Sequence, residues 1–150
     1  MIKILFICHG NICRSPMAEY IFTKMVREAG LSGRFCIASA ATSAEEIGNR
    51  IYPPAGRKLR EHGIDASAHR ARQLRREEYG QWDYLIAMES VHVRRMTALF
   101  RGDPEGKITR LLDHTDRPGD IPDPWYTDDF DSAWQEIERG CRALFAELTK

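Results

Sequence analysis

Apolar positions fall in two rhythms along the chain. Residues 2–8 form a nearly unbroken run, Ile2, Ile4, Leu5, Phe6 and Ile7 interrupted only by Lys3, which predicts a strand buried on both faces. Next, Ala18, Ile21, Phe22, Met25, Val26 and Ala29 recur at helical spacing, and Gly30 supplies the stop. Residues 35–41 read as a second short strand. Pro53 and Pro54 stand where a helix can start, with Gly63 after Glu61 and His62 as its end. Trp82 to Met88 reads as a third strand, followed by a helix over roughly 90–100. Residues 102–106 are a turn, and Lys107 to Leu112 a fourth strand. Residues 113–129 carry Pro118, Pro122 and Pro124 among several aspartates with no periodicity, and are expected to be a loop. A last helix carries Phe130, Ala133, Trp134, Ile137, Cys141, Leu144, Phe145 and Leu148. There is no repeat, low-complexity tract or linker.

Strands alternating with helices imply an α/β fold, a doubly wound parallel sheet flanked by helices. At 150 residues the chain fits one domain, 1–150, long enough for a substantial core. In such sheets ligands bind at the carboxyl ends of the strands, near a point where the strand order reverses. Cys8 falls at the end of the first strand.

Composition narrows the function classes. Lys plus Arg total 22 and Asp plus Glu total 22, for a net charge of zero, which leaves no footprint for nucleic acid or an anionic membrane. The N-terminal apolar run is too short to span a bilayer and lacks signal-peptide architecture. The four cysteines, at positions 8, 13, 36 and 141, do not resemble a secreted disulfide framework, so a cytoplasmic, reducing location is expected.

The chemistry concentrates in Ile7-Cys8-His9-Gly10-Asn11-Ile12-Cys13-Arg14-Ser15-Pro16, between the first strand and the first helix. Gly10 and Asn11 accept left-handed backbone angles cheaply, and a chain curling through such angles turns successive N–H groups inward to make an anion hollow. Ser15 is expected to cap the helix and Pro16 to be its first residue, so that the positive helix end faces the same hollow. Cys8 at one end and Arg14 at the other make this a place where a thiolate is favoured beneath a bound oxyanion. Such an arrangement suits displacement of a phosphoryl group onto sulfur. A zinc site would need two more ligands at short spacing, and Cys36 and Cys141 stand alone, so no metal is expected. A nucleotide-binding turn would need a Gly-Lys-Ser/Thr, which this loop lacks.

With Cys8-x5-Arg14-Ser15 placed at the N-terminus as CHGNICRSP, the sequence resembles the low-molecular-weight protein tyrosine phosphatases. Further matches follow in that family's order: Ser39 in ASAATS, His69 and Arg72 in HRARQ, Met88 in LIAME, and Asp123 in PDPWY. The resemblance implies four parallel strands in the order 2-1-3-4. It implies Cys8 as nucleophile, Arg14 as phosphate clamp, and a phosphate cradle of His9, Gly10, Asn11, Ile12, Cys13, Arg14 and Ser15. It also implies that Ser15 hydrogen-bonds the thiolate and that Asn11, Ser39 and His69 hold the loop in shape. Read without it, His69 is a solvated loop histidine. Cys13 is either a small apolar core residue or a resolving thiol for an oxidation-prone Cys8, and the resemblance favours the second. Substrates are expected to be tyrosine-phosphorylated proteins, with phosphate or vanadate as active-site ligands, no cofactor, and a monomeric enzyme.

Cleaving an aryl phosphate requires a proton for the departing phenolate. Among Asp113, Asp116, Asp120, Asp123, Asp128 and Asp129, only Asp123 is flanked by two prolines and followed at once by Trp125-Tyr126, aromatic neighbours that desolvate a carboxyl. Asp123 is therefore the candidate general acid, as the resemblance also implies, and Trp125 and Tyr126 are candidate walls of a phosphotyrosine slot. Four positions depart from the family's commoner pattern: Trp125 stands for tyrosine, Glu45 for a rim aromatic, and Glu89 and His92 for Asp and Asn after Met88. These departures are expected to bear on peptide preference. Arsenate reductase shares the fold but needs a relay of further cysteines, and none lies between Cys36 and Cys141. Protein arginine phosphatases have threonine at the position of Ile12, and the larger Ile12 leaves less room for a guanidinium-linked phosphate. An inactive phosphate-binding module is opposed by intact Cys8, Arg14 and Asp123.

Overall fold

The computed structural model describes residues 1–150. A four-stranded parallel sheet is built from β1 (Ile2–Cys8), β2 (Phe35–Ala41), β3 (Tyr84–Ala87) and β4 (Ile108–Arg110) in the order β2-β1-β3-β4. The expected α/β class and the order 2-1-3-4 are both found. Helices α1 (Arg14–Glu28), α2 (Pro53–Glu61), α3 (Ser90–Phe100), α4 (Pro124–Thr127) and α5 (Phe130–Leu148) complete the chain, with three short 3₁₀ turns.

Strand alternation divides β1 between two cores. Ile4, Phe6 and Cys8 face one layer, where they pack with Met17, Phe22, Trp134 and Ile137 of α1 and α5. Leu5 and Ile7 face the other, with Leu85, Ala87 and Met96 of β3 and α3. Ile4, Leu5, Phe6 and Ile7 are all fully buried, which explains the unbroken apolar run. Each such side chain contributes about 1.5–3 kcal/mol relative to leaving it in water. Cys8 pairs with Ala41 at the end of β1, and because the chain leaves β1 with β2 on one side and β3 on the other, this is the reversal point of the sheet.

Several boundaries differ from the sequence expectation. The third strand begins at Tyr84, because Trp82 turns its indole N–H to Glu78 and Asp83 is used to accept the Lys3 backbone N–H. It ends at Ala87, before Met88. The fourth strand stops at Arg110, and Leu111–His114 wind into a 3₁₀ turn around the Asp113 carboxylate, which accepts the Arg110 N–H at 2.8 Å. Leu111 presses so closely on Gly140 of α5 that a Cβ there would meet Leu111 Cγ at 2.4 Å. The expected loop 113–129 contains α4, too short for a periodicity to show. Finally, α1 opens at Arg14, two residues earlier than Pro16: Cys13 is its N-cap residue and makes no side-chain cap, so Ser15 is not the cap.

Candidate active site

The loop between β1 and α1 is closed by a single left-handed residue, Asn11, at φ 61°. Gly10 does not adopt a positive φ; its value lies in close approach, since a Cβ would meet Glu46 Cγ at 3.3 Å. Asn11 donates its backbone N–H to Cys8 Sγ at 3.3 Å. The N–H groups of Gly10, Ile12 and Cys13 have no partner within the protein, and together with the α1 N-terminus they leave donors for an anion.

Behind this wall runs a hydrogen-bond network whose directions follow from the donors available. The Asn11 side-chain carbonyl accepts the Arg72 N–H at 3.1 Å, so its amide nitrogen faces the opposite way and donates to Ser15 Oγ (2.8 Å) and Ser39 Oγ (2.9 Å). Each hydroxyl then has its own proton to give. Ser39 donates to Glu19 at 2.5 Å, and Ser15 donates to Cys8 Sγ at 3.0 Å, a bond in which sulfur is the acceptor. His69 Nε2 donates to the Asn11 carbonyl at 2.7 Å, and burial pushes the His69 ring below its ordinary range, so it is held neutral. Asn11, Ser15, Ser39 and His69 are thus brought together as expected, and His69 is buried rather than solvated. Glu19 was not legible beforehand; burial raises its carboxyl despite the bond from Ser39.

Arg14 is buried, its side chain 2% exposed. One Nη1 donates to the Ile121 carbonyl at 2.7 Å and to the Glu89 carboxylate, while Nη2 lies 3.2 Å from Asp123 Oδ2. Nε is buried without a protein partner, a donor available to an oxyanion. Glu89 therefore orients the guanidinium, a role that the reading of its departure in terms of peptide preference did not include. His92, one turn on, is also internal: its Nδ1 accepts the Glu89 N–H at 3.2 Å.

Asp123 begins α4. Its Oδ1 accepts the Trp125 N–H at 3.0 Å, and Oδ2 faces Arg14. Asp120 does different work. Its Oδ1 accepts from Ser90 N (2.8 Å), Ser90 Oγ (3.0 Å) and Arg110 Nη1 (3.0 Å). Burial opposes the charge on Asp120, but these bonds outweigh it and hold the carboxyl below its usual range. Asp120 thus ties the Asp123 loop to α3 and β4.

A cavity of about 120 Å³ opens over Cys8, bounded by the loop residues His9, Gly10, Ile12, Cys13 and Arg14, by Asp123, Trp125 and Tyr126, and by Glu45 and Glu46. Asn11 and Ser15 stand behind its wall. Trp125 packs on Tyr52, ring centroids 4.7 Å apart, while Tyr126 is largely exposed at the rim. Burial, and then the nearby Cys8, push the Cys13 thiol well up. No cluster of three His, Cys, Asp or Glu side chains is placed to hold a metal ion, and no helix is long and apolar enough to cross a membrane.

Comparison with known proteins gives a consistent match. The family model for low molecular weight phosphotyrosine protein phosphatase fits residues 3–150. The Bacillus subtilis low molecular weight protein-tyrosine-phosphatase YfkJ is 37% identical across 100% of this chain and 97% of its own, and its crystal structure superposes with a TM-score of 0.95 over 99% and 94% of the two chains. The Homo sapiens low molecular weight phosphotyrosine protein phosphatase is 38% identical over 95% of this chain and 92% of its own. A Drosophila arginine phosphatase is also similar in structure, with a TM-score of 0.88 at 26% identity over 99% of each chain.

Proposed function

The chain belongs to the low molecular weight phosphotyrosine protein phosphatase family, and from that premise we propose a two-step hydrolysis of phosphotyrosine through a phosphocysteine at Cys8. The observation that carries the assignment of roles is the convergence on one small cavity of Cys8 Sγ, the free loop N–H groups, Arg14 and Asp123. The Cys8 thiolate attacks phosphorus in line, forming S–P as the ester O–P bond breaks. Loop amides and Arg14 hold the equatorial oxygens, where negative charge is greatest. Asp123 gives its proton to the leaving phenolate. In the second step Asp123 takes a proton from water, the water oxygen attacks phosphorus, and the S–P bond returns its electron pair to Cys8. Neither step calls for a metal or cofactor.

The substrates proposed are tyrosine-phosphorylated proteins, with Trp125, Tyr126 and Glu45 at the walls of the slot. The likeness to an arginine phosphatase favours a second reading, phosphoarginine hydrolysis on the same fold. Ile12 weighs against it, since this branched apolar side chain lines the cavity.

Both readings are tested by one experiment. Phosphotyrosine and phosphoarginine are each mixed with enzyme, phosphate release is followed continuously at neutral pH because the P–N bond is acid-labile, and the protein from a rapidly quenched sample is examined by mass spectrometry. Phosphotyrosine is expected to give phosphate and a phosphorylated Cys8, and Cys8→Ser to give neither. Faster phosphate release from phosphoarginine would reverse the substrate assignment, and phosphate release without modified Cys8 would overturn the mechanism.

A further inference from the structure

Beside the phosphate hollow lies a second cavity of about 330 Å³, which shares His9, Arg14, Asp123 and Tyr126 with it and is lined further by Glu89 and by Arg95 of α3. The two cavities therefore meet at the reacting centre, with His9 as the ridge between them. Arg95 Nη1 donates to His9 Nδ1 at 2.9 Å. A guanidinium can only donate, so Nδ1 is the acceptor of that bond and Nε2 faces Glu45 Oε2 at 3.0 Å. The mouth of the site thus has Glu45 and Glu46 on one side, while on the other Glu89 and Asp123 are paired with Arg14 and the Arg95 guanidinium is left without a carboxylate.

Arg95 differs from the other cation of this centre. Arg14 is matched by Glu89 and Asp123, whereas Arg95 has no carboxylate partner and rests on the His9 ring nitrogen. A guanidinium exchanges such a one-point contact for a forked pair of hydrogen bonds when a carboxylate comes within reach. A residue adjacent to a phosphotyrosine seated over Cys8 would lie over the ridge at His9. We propose that Arg95 is a specificity-determining residue, which receives the carboxylate of an Asp or Glu next to the phosphotyrosine of a protein substrate. This rests on the phosphotyrosine reading of the Cys8 site.

The test compares kcat/KM for free phosphotyrosine with that for phosphotyrosine peptides of one length, carrying alanines only, a glutamate immediately before the phosphotyrosine, or a glutamate immediately after it. One glutamate peptide is expected to exceed the alanine peptide by roughly threefold to fivefold at low ionic strength, the range of an exposed ion pair, and to lose that advantage as salt rises. In Arg95→Ala the ratio should fall to near unity, and in Arg95→Glu it should invert. Each ratio is taken within one enzyme, so loss of folded protein in a variant cancels. Equal rates on the three peptides in the unmodified enzyme, or a glutamate preference that survives in Arg95→Glu, would overturn the proposal. Failure to turn over free phosphotyrosine would instead overturn the reading on which it rests.

Discussion

Glu89 pairs with Arg14 Nη1, so the residue that opens α3 holds the guanidinium at the opening of α1. With the Ile121 carbonyl as a second acceptor at 2.7 Å, Arg14 is fixed from the side away from the anion hollow, and its unpartnered Nε is left for the oxyanion. A buried cation oriented in advance spends little of its attraction on reorganising when phosphate arrives.

Glu89→Ala should therefore lower kcat/KM on p-nitrophenyl phosphate by about 10- to 100-fold, the range set by a hydrogen bond to a charged group. Glu89→Asp should recover part of the loss by restoring the carboxylate. Inhibition by vanadate should weaken in parallel, because the same guanidinium grips it. If Glu89→Ala lost only thermal stability and bound vanadate as before, Glu89 would be a scaffold residue and not a positioning one.

His92 gives a pH prediction. Burial, then the positive charges of Arg14 and Arg95, push its ring down to about 3 from an ordinary value of 6.5. The unfolded chain takes up this proton below about pH 6.5 while the folded chain does not, so stability falls as pH falls through the window between those values. One such group costs up to about 2 kcal/mol by pH 5. Asn at this position could still accept the Glu89 N–H and cannot titrate. Urea unfolding at pH 7 and pH 5 should show a smaller acid loss in His92→Asn than in the unmodified protein, with His69, also held neutral by burial, supplying what remains. Equal losses in the two proteins would show that His92 is not the source.

Much of this molecule was legible because its signals are local. The run Ile4 to Ile7 could only be a doubly buried strand, and Cys8-x5-Arg14 placed the hollow at its end. What escaped depends on partners far away in sequence. Leu111 and Leu112 extend the apolar pattern of β4, yet the chain turns there to pack on Gly140 and to satisfy Asp113. Ser15 is expected both to cap α1 and to bond the Cys8 sulfur; only the second is found, its hydroxyl being engaged by Asn11 and Cys8. Glu19 stands four residues after Ser15, on the same side of α1, which hinted at proximity, but its bond to Ser39 needed the β1–β2 pairing to appear.

Cys13 is proposed as the redox partner of Cys8. Peroxide would oxidise the Cys8 thiolate to a sulfenic acid, and a Cys13 thiolate would attack that sulfur and expel hydroxide. Because burial and the neighbouring Cys8 push the Cys13 thiol up, closure should quicken as pH is raised from 7 to 9. Mass spectrometry after mild peroxide should find a Cys8–Cys13 disulfide, inactive and restored by dithiol. Over-oxidised Cys8 beside free Cys13 would remove Cys13 from this role.

Asp123 is both the cap of α4 and the proposed acid, and a substitution can separate the two. Asparagine is as good a cap as aspartate, so Asp123→Asn should keep the bond from the Trp125 N–H and leave the loop in place. What it loses is the transferable proton. A positioned acid typically contributes about 10²–10⁴-fold, and only as far as the leaving group needs protonation. Nitrophenolate leaves almost unaided, whereas the phenolate of tyrosine does not. Asp123→Asn should therefore lose much more rate on phenyl phosphate or phosphotyrosine than on p-nitrophenyl phosphate. Vanadate binding should persist, since Arg14 keeps Glu89 and the Ile121 carbonyl and the loop amides are untouched, although Arg14 Nη2 loses the 3.2 Å contact with the Asp123 carboxylate. Equal loss on both kinds of ester would make Asp123 structural. Asp120 would not then be the natural substitute, because the three bonds to its Oδ1 commit that oxygen to Ser90 and Arg110; Asp120→Asn should weaken the fold before it alters the dependence on leaving group.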